Sequence, residues 1–131
     1  MKFHMLIALS GILLVTSGCG GKSGNAPDVA RVEGTVTLDG APLEGATVEF
    51  QPVAGGRPSV GTSDANGHYS LTYSNDLAGA IIGEHNVSIK TFTYARPDVP
   101  EKLPAKYHSP TTLKETVQPE KNQIDFELNS K

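Results

Sequence analysis

The alternation of apolar and polar residues along short segments constrains the fold of this chain more than any other feature. In residues 31–38, written RVEGTVTL, Val32, Val36 and Leu38 fall on one face and the polar residues on the other. A period of two places successive side chains on opposite faces of a β-strand that has one buried face. The same alternation returns in residues 46–52, 68–73, 84–94 and 122–129. We therefore predict an all-β chain of short strands.

Turn residues separate these segments. The chain of 131 residues contains 14 glycines and nine prolines, and many of them lie between the alternating stretches. Asp39–Gly40 fits a tight hairpin turn, and Asp64 with Gly67 fits a type I turn. Seven short strands with such spacing favour an antiparallel, two-sheet Ig-like β-sandwich. Residues 111–118 and 122–129 are predicted to close the chain as a hairpin around residues 119–121.

The first residues of the chain have the pattern of an export signal. Lys2 precedes an apolar run from residue 5 to residue 15, which is shorter than the ~20 residues that a membrane-spanning helix needs. Small residues follow, and then Cys19, the only cysteine in the chain. A single cysteine cannot form a disulfide within one chain, and a free thiol is a liability in an oxidising compartment. The pattern indicates an N-terminal signal helix followed by a cysteine whose role is not disulfide formation within the chain.

Residues 15–19, written VTSGC, resemble the lipobox of bacterial lipoproteins. The resemblance implies that residues 1–18 are a signal peptide, that cleavage falls between Gly18 and Cys19, and that Cys19 carries the lipid. Residues 19–29, rich in Gly, Ser, Asn and Pro, then form the lipidated cysteine and a flexible tether. The Asp that often retains lipoproteins in the inner membrane is replaced by Gly20 and Gly21. This favours the outer over the inner membrane of a bacterial cell envelope.

Residues 32–52, 61–71 and 83–89 resemble the carboxypeptidase regulatory-like domain, which is a transthyretin-like β-sandwich. The resemblance covers residues 30–131. It implies an accessory module without catalytic activity, because members of this family flank enzymes, precede outer-membrane receptors or stand in surface stalks. We therefore expect a membrane-anchored, extracytoplasmic lipoprotein with a structural or protein-binding role. A fold of this kind hosts many functions, so the specific role has to come from its residues.

Composition and motifs exclude several classes of function. A formal net charge of −3, with no basic run, argues against nucleic-acid binding. His68, His85 and His108 lie far apart without metal-ligand spacing, and we interpret them as isolated surface or rim residues. Asp64 and Asn66 suggest a turn, with a weak calcium site as the alternative. We predict no metal and no cofactor.

Catalytic signatures are also missing from the sequence. The chain has no G-x-S-x-G motif, and it ends in FELNSK rather than the Tyr-Arg-Gly-Ser of transthyretin-like hydrolases. We therefore do not expect an enzyme.

Residues 93–110, which we name the 93–110 segment, are the candidate recognition loop. The segment contains four prolines and shows no alternation. The candidate residues combine aromatic and cationic character, and they are Tyr94, Arg96, Lys106, Tyr107 and His108. The alternative is that Tyr107 packs over the end of the sandwich while the lysines are solvated. The predicted partners are membrane lipid, through Cys19, and an envelope protein; carbohydrate binding by Tyr94 and Tyr107 is the alternative.

Overall fold

The computed structural model describes residues 27–131. The predicted signal peptide, Gly18, Cys19 and most of the tether lie outside the described residues. No helix among residues 27–131 is long and apolar enough to cross a membrane.

The described residues form an all-β structure, which confirms the predicted fold class. They contain thirteen strand segments rather than seven. The strands are β1 (Val29–Ala30), β2 (Val32–Leu38), β3 (Ala41–Pro42), β4 (Thr47–Pro52), β5 (Ser59–Thr62), β6 (His68–Ser70), β7 (Thr72–Ser74), β8 (Leu77–Ala78), β9 (Ala80–Ile81), β10 (Gly83–Lys90), β11 (Leu113–Val117), β12 (Asn122–Gln123) and β13 (Phe126–Leu128). A single turn of 3-10 helix, Ala105–Tyr107, precedes β11.

Two larger sheets account for most of these strands. The first has six strands in the order β11-β10-β4-β5-β7-β8. In the second, β2 is central, with β12 and β13 along one side and β3 and β6 along the other. A separate antiparallel pair joins β1 to β9. Asp39 and Gly40 form the turn that connects β2 to β3. Their φ angles, 52° and 85°, are both positive, as the predicted two-residue hairpin turn requires.

The core lies between the two larger sheets. Phe50 of β4 contacts Phe126 of β13 edge to face, with ring centroids 6.2 Å apart. The ring of Tyr69 of β6 also lies near that of Phe126, with centroids 6.0 Å apart. Alternation explains this arrangement, because the buried residues of β2, β4 and β10 alternate with more exposed ones. The buried apolar side chains are Ala30, Val32, Val36, Leu43, Ala46, Val48, Phe50, Tyr69, Leu71, Ala80, Val87, Ile89, Leu103, Tyr107, Val117, Phe126 and Leu128.

The chain passes from one sheet to the other between β6 and β7. Strand β6 pairs with β2, whereas β7 pairs with β5 in the six-stranded sheet. Leu71 lies between them, and its amide donates to the carbonyl of Val32 at 2.9 Å. The chain therefore links the two sheets at Leu71. Strand β6, before it, belongs to the sheet of β2, and β7, after it, belongs to the six-stranded sheet.

The predicted C-terminal hairpin is wrong. Strand β11 pairs antiparallel with β10, while β12 and β13 pair in parallel with β2 in the other sheet. The connection between them is fixed by Asn122, whose side chain bonds to the backbone of Arg31, Gln118 and Glu120. The parallel pairs also mean that the sandwich is not antiparallel throughout.

Gly34 allows β12 and β13 to run beside one strand. A Cβ atom at Gly34 would lie 1.8 Å from the carbonyl oxygen of Ile124. The ladder is interrupted at this point, and the carboxylate of Asp125 accepts from the amide of Thr35 at 2.9 Å. That bond lowers the pKa of Asp125. The close approach requires glycine.

Candidate recognition segment

The first half of the 93–110 segment is closed at its base by Glu101. This carboxylate accepts from the amides of Thr91, Phe92 and Leu103 at 3.0–3.1 Å, and from the Thr91 hydroxyl at 3.0 Å. Thr91 follows the end of β10 with only 2% of its surface exposed, and the one proton of its hydroxyl is shared between Glu101 and the carbonyl of Pro100, which lies at 2.9 Å. The amide of Lys102 in turn donates to the Thr91 hydroxyl at 2.7 Å. We call this arrangement the Thr91–Glu101 clamp.

Two opposing effects set the pKa of Glu101. Partial burial raises it, and the hydrogen bonds from the amides of Thr91, Phe92 and Leu103 lower it. The hydrogen bonds prevail, so the pKa lies below its ordinary value. Glu101 is therefore a carboxylate stabilised in its charged form, and both of its oxygen atoms accept hydrogen bonds from backbone amides.

The clamp supports a loop, residues 92–100, that projects an aromatic side chain into solvent. Tyr94 is 95% exposed. Its ring stands edge to face on Phe92, with centroids 5.7 Å apart. The amide of Arg96 donates to the carbonyl of Thr93 at 3.1 Å, so Tyr94 lies within a turn. The turn therefore presents nearly the whole Tyr94 side chain to solvent, beside the ring of Phe92.

Arg96 lies beside Tyr94 in the same turn and is exposed. Its Nη2 donates to the carbonyl of Gly45 at 3.4 Å, a long contact to the loop that joins β3 to β4. Gly45 has a φ angle of 78°. An exposed bond of this length contributes little, so the guanidinium can turn towards a partner.

The second half of the segment packs against the sandwich. Tyr107, at the end of the 3-10 turn, is 6% exposed, and its hydroxyl accepts from the amide of Asn129 at 2.9 Å. The Lys106 ammonium lies 5.1 Å from the centroid of the Tyr107 ring. The half-buried imidazole of His108 bonds through Nε2 to the carbonyl of Leu103 at 3.1 Å. These residues hold the segment in place.

The five residues predicted for recognition therefore divide into two groups. Tyr94 and Arg96 are exposed on the clamped loop, whereas Tyr107 packs over the end of the sandwich, as the alternative interpretation has it. We remove Tyr107 from the recognition residues, and with it the pair of exposed rings that carbohydrate binding by Tyr94 and Tyr107 would need. Sequence reasoning missed Thr91 and Glu101, because no local pattern joins two residues at opposite ends of an irregular loop.

His85 is not a surface residue, which corrects its interpretation as one. Its ring is 1% exposed and lies 5.5 Å from that of Phe50. Nε2 donates to the carbonyl of Ile81 at 2.6 Å, whereas Nδ1 has no hydrogen-bond partner. The alternation of β10 places His85 on the same side as Val87 and Ile89, and the burial follows that pattern.

Asp64, the residue considered for a calcium site, instead accepts hydrogen bonds from the backbone of its own turn. Asp64 Oδ1 accepts from the amides of Asn66 and His68 at 2.9 and 3.0 Å, which accounts for it as a turn residue. Within residues 27–131, no group of three or more His, Cys, Asp or Glu side chains could hold a metal ion.

Strands β10 and β11 border an open depression of about 570 Å³. Its lining includes the exposed residues Val53, Glu84, Asn86, Lys114 and Thr116. The register places Glu84 opposite Thr116 and Asn86 opposite Lys114, so carboxylate and ammonium groups lie on neighbouring pairs. The half-buried Glu115 lines the depression as well, so its lining carries two carboxylates and one ammonium and does not favour an anionic ligand.

Comparison of the chain with protein-family models gives no match, and comparison with curated proteins gives no significant match.

Proposed function

We propose that this chain is a bacterial envelope lipoprotein whose lipid on Cys19 holds a non-catalytic, protein-binding β-sandwich outside the cytoplasm. The N-terminal pattern of residues 1–29 supports the anchor. Two sheets that face each other across Phe50 and Phe126 support a transthyretin-like domain of the carboxypeptidase regulatory-like kind. The outer membrane is the proposed location, because Gly20 and Gly21 follow the cysteine.

The observation that carries the binding role is the exposure of Tyr94 on a loop with a fixed base. Tyrosine and arginine are enriched among the residues that dominate binding energy in protein interfaces. A loop ordered before binding avoids part of the entropy cost of association. Residues 92–100 meet both conditions, because the Thr91–Glu101 clamp orders the loop and Tyr94 stands 95% exposed at its turn.

Two titratable side chains of the 93–110 segment are already hydrogen-bonded to protein atoms, which supports a non-catalytic role. The Glu101 carboxylate accepts four protein donors, and the His108 ring bonds to the carbonyl of Leu103. General acid–base catalysis needs a group that can exchange its proton with a substrate. These groups instead fix the backbone.

The anchor is tested by replacing Cys19 with Ala in the native organism. One acyl chain holds a protein only marginally, and two or three chains hold it firmly, so the substitution should release the protein from the membrane fraction. Ser23→Ala, in the same tether, is the matched control and should leave the protein in the detergent-extractable membrane fraction. Membrane association of Cys19→Ala equal to that of the control would contradict the anchor. Density-gradient separation of the two membranes tests the location.

The binding surface is tested by site-specific photo-crosslinking in intact cells. A photoreactive residue at position 94 should give a discrete crosslinked species, and the same residue at position 53 should not give it, although Val53 is also an exposed apolar residue at 55%. Arg96→Ala should weaken the crosslink. An identical crosslinking pattern from positions 94 and 53, or none from either, would contradict a role for the loop.

A further inference from the structure

A second concave surface lies on the six-stranded sheet, where β5 and β7 pair through Val60 and Thr72. The groove has a volume of about 410 Å³. Arg57, Tyr73, Ser74 and Asn75 are among the residues that line it. The alternation in residues 68–73 places Tyr73 on the same face as Tyr69 and Leu71. Tyr73 is instead half-exposed, because the chain changes sheets at Leu71.

The loop before β5 is fixed by two hydrogen bonds to backbone carbonyls. Gln51 Nε2 donates to the carbonyl of Gly56 at 3.1 Å, and the amide of Gly55 donates to the carbonyl of Pro52 at 3.2 Å. The Arg57 guanidinium carbon lies 5.7 Å from the centroid of the Tyr73 ring. This contact orients the guanidinium without using its N–H groups in hydrogen bonds.

The charge of Arg57 has no protein counterion in the part of the chain that the structure describes, since no carboxylate there forms a salt bridge with it. The guanidinium therefore presents a cation to the groove within a domain rich in acidic residues. Its planar fork matches the two oxygens of a carboxylate. A single cation balances one negative charge, which favours a carboxylate over a doubly charged phosphate.

The remaining polar lining recognises hydroxyl groups. Thr72, Ser74 and Asn75 supply two hydroxyls and an amide, which donate to and accept from alcohols. Exposed Val60 adds an apolar surface for ring carbons. We propose that this groove binds an acidic saccharide, with the sugar carboxylate on Arg57 and the sugar hydroxyls on Thr72, Ser74 and Asn75. This site is separate from the 92–100 loop.

Titration calorimetry of the full chain in mild detergent tests the proposal. The probe is a linear tetrasaccharide of galacturonic acid, and the neutral tetrasaccharide of galactose is its control. The acidic probe should bind and the neutral one should not. Arg57→Gln should weaken binding about tenfold or more, as expected for loss of a charge-assisted bond, and added salt should weaken binding to the native chain. Arg96→Gln should leave affinity unchanged, which separates this site from the proposed protein-binding loop.

Variants at Tyr73 test whether its ring positions the guanidinium. Tyr73→Phe keeps the ring and should retain affinity, whereas Tyr73→Leu should weaken binding and its dependence on salt. Circular dichroism confirms that each variant is folded. Absent binding of the acidic probe, equal binding of the neutral one, an unchanged affinity in Arg57→Gln, or tighter binding of inorganic phosphate would each overturn the proposal.

Discussion

The two halves of the 93–110 segment have similar compositions, but one half projects into solvent and the other packs against the sandwich. Each contains a tyrosine and a basic residue, yet Tyr94 is 95% exposed and Tyr107 only 6%. The difference comes from the contacts that each ring makes: Asn129 supplies an amide to the Tyr107 hydroxyl, whereas Tyr94 is held only by the edge of Phe92. Residue type therefore does not distinguish a ring that supports the loop from a ring that is available to a partner.

The largest difference should appear when each ring is removed. Tyr107→Ala empties a buried site and should lower the free energy of unfolding by about 3–5 kcal/mol, as large-to-small changes at buried aromatic residues do. Tyr94→Ala should change it by less than ~0.5 kcal/mol, because the side chain buries almost nothing. Urea denaturation monitored by circular dichroism measures both. Similar values for the two variants would contradict the division of the segment.

The clamp should give the next largest effect. Glu101→Gln keeps the shape but replaces charge-assisted acceptors with a neutral one, and we expect a loss of about 1 kcal/mol at pH 7 after allowing for solvent screening of this exposed residue. Urea denaturation of the variant and the native chain measures it. Glu127→Gln, the same change at an exposed glutamate of β13, is the matched control.

The contribution of Glu101 should also depend on pH. Its pKa in the folded chain lies below the ordinary value of 4.5, so its stabilisation is fully present above that value and is lost as the pH falls through the folded pKa. The stability difference between native chain and Glu101→Gln should therefore shrink in acid. A difference that stays constant from neutral pH to pH ~3 would show that charge plays no part in the clamp.

A smaller effect is expected at Lys106. Its ammonium lies over the Tyr107 ring at the protein surface, where cation–π contacts contribute about 0.5–1 kcal/mol. Lys106→Gln should lower the free energy of unfolding by that amount, and Lys106→Arg should largely retain it. If Gln and Arg variants were equally stable, the charge over the ring would have no role.

The smallest effect is expected at Arg96. Its 3.4 Å bond to the carbonyl of Gly45 is long and exposed, so Arg96→Ala should change the free energy of unfolding by less than ~0.5 kcal/mol. The same substitution should weaken the crosslink at position 94. A stability loss comparable to that of Tyr107→Ala would place Arg96 with the supporting residues instead.

Alternation predicts the buried faces well. The sequence pattern places Val32, Val36, Val48 and Phe50 inward, and all four are buried. This succeeds because the period of two is a local property of the backbone, which each strand shows independently of its neighbours.

The pairing of the strands could not be predicted from this alternation. The sequence does not reveal that β11 and β12 belong to different sheets, because that choice depends on contacts such as the bonds from Asn122 to the backbone of Arg31. The candidate site shows the same limit. Residue type singles out Tyr94 and Arg96 as candidates, but it singles out Tyr107 equally. Glu101 with Thr91, and Arg57 with Tyr73, are contacts between residues that only the fold brings together.

The Thr91–Glu101 clamp has a consequence for how this protein can change. Because the strand end and the returning chain are tied to each other, the residues between them need no strong contact with the sandwich, and the bond from Arg96 to Gly45 is long and exposed. Their sequence and length can be exchanged while the two tied residues are kept. A scaffold of this kind can acquire a new partner by swapping one insert, without refolding the domain that carries it.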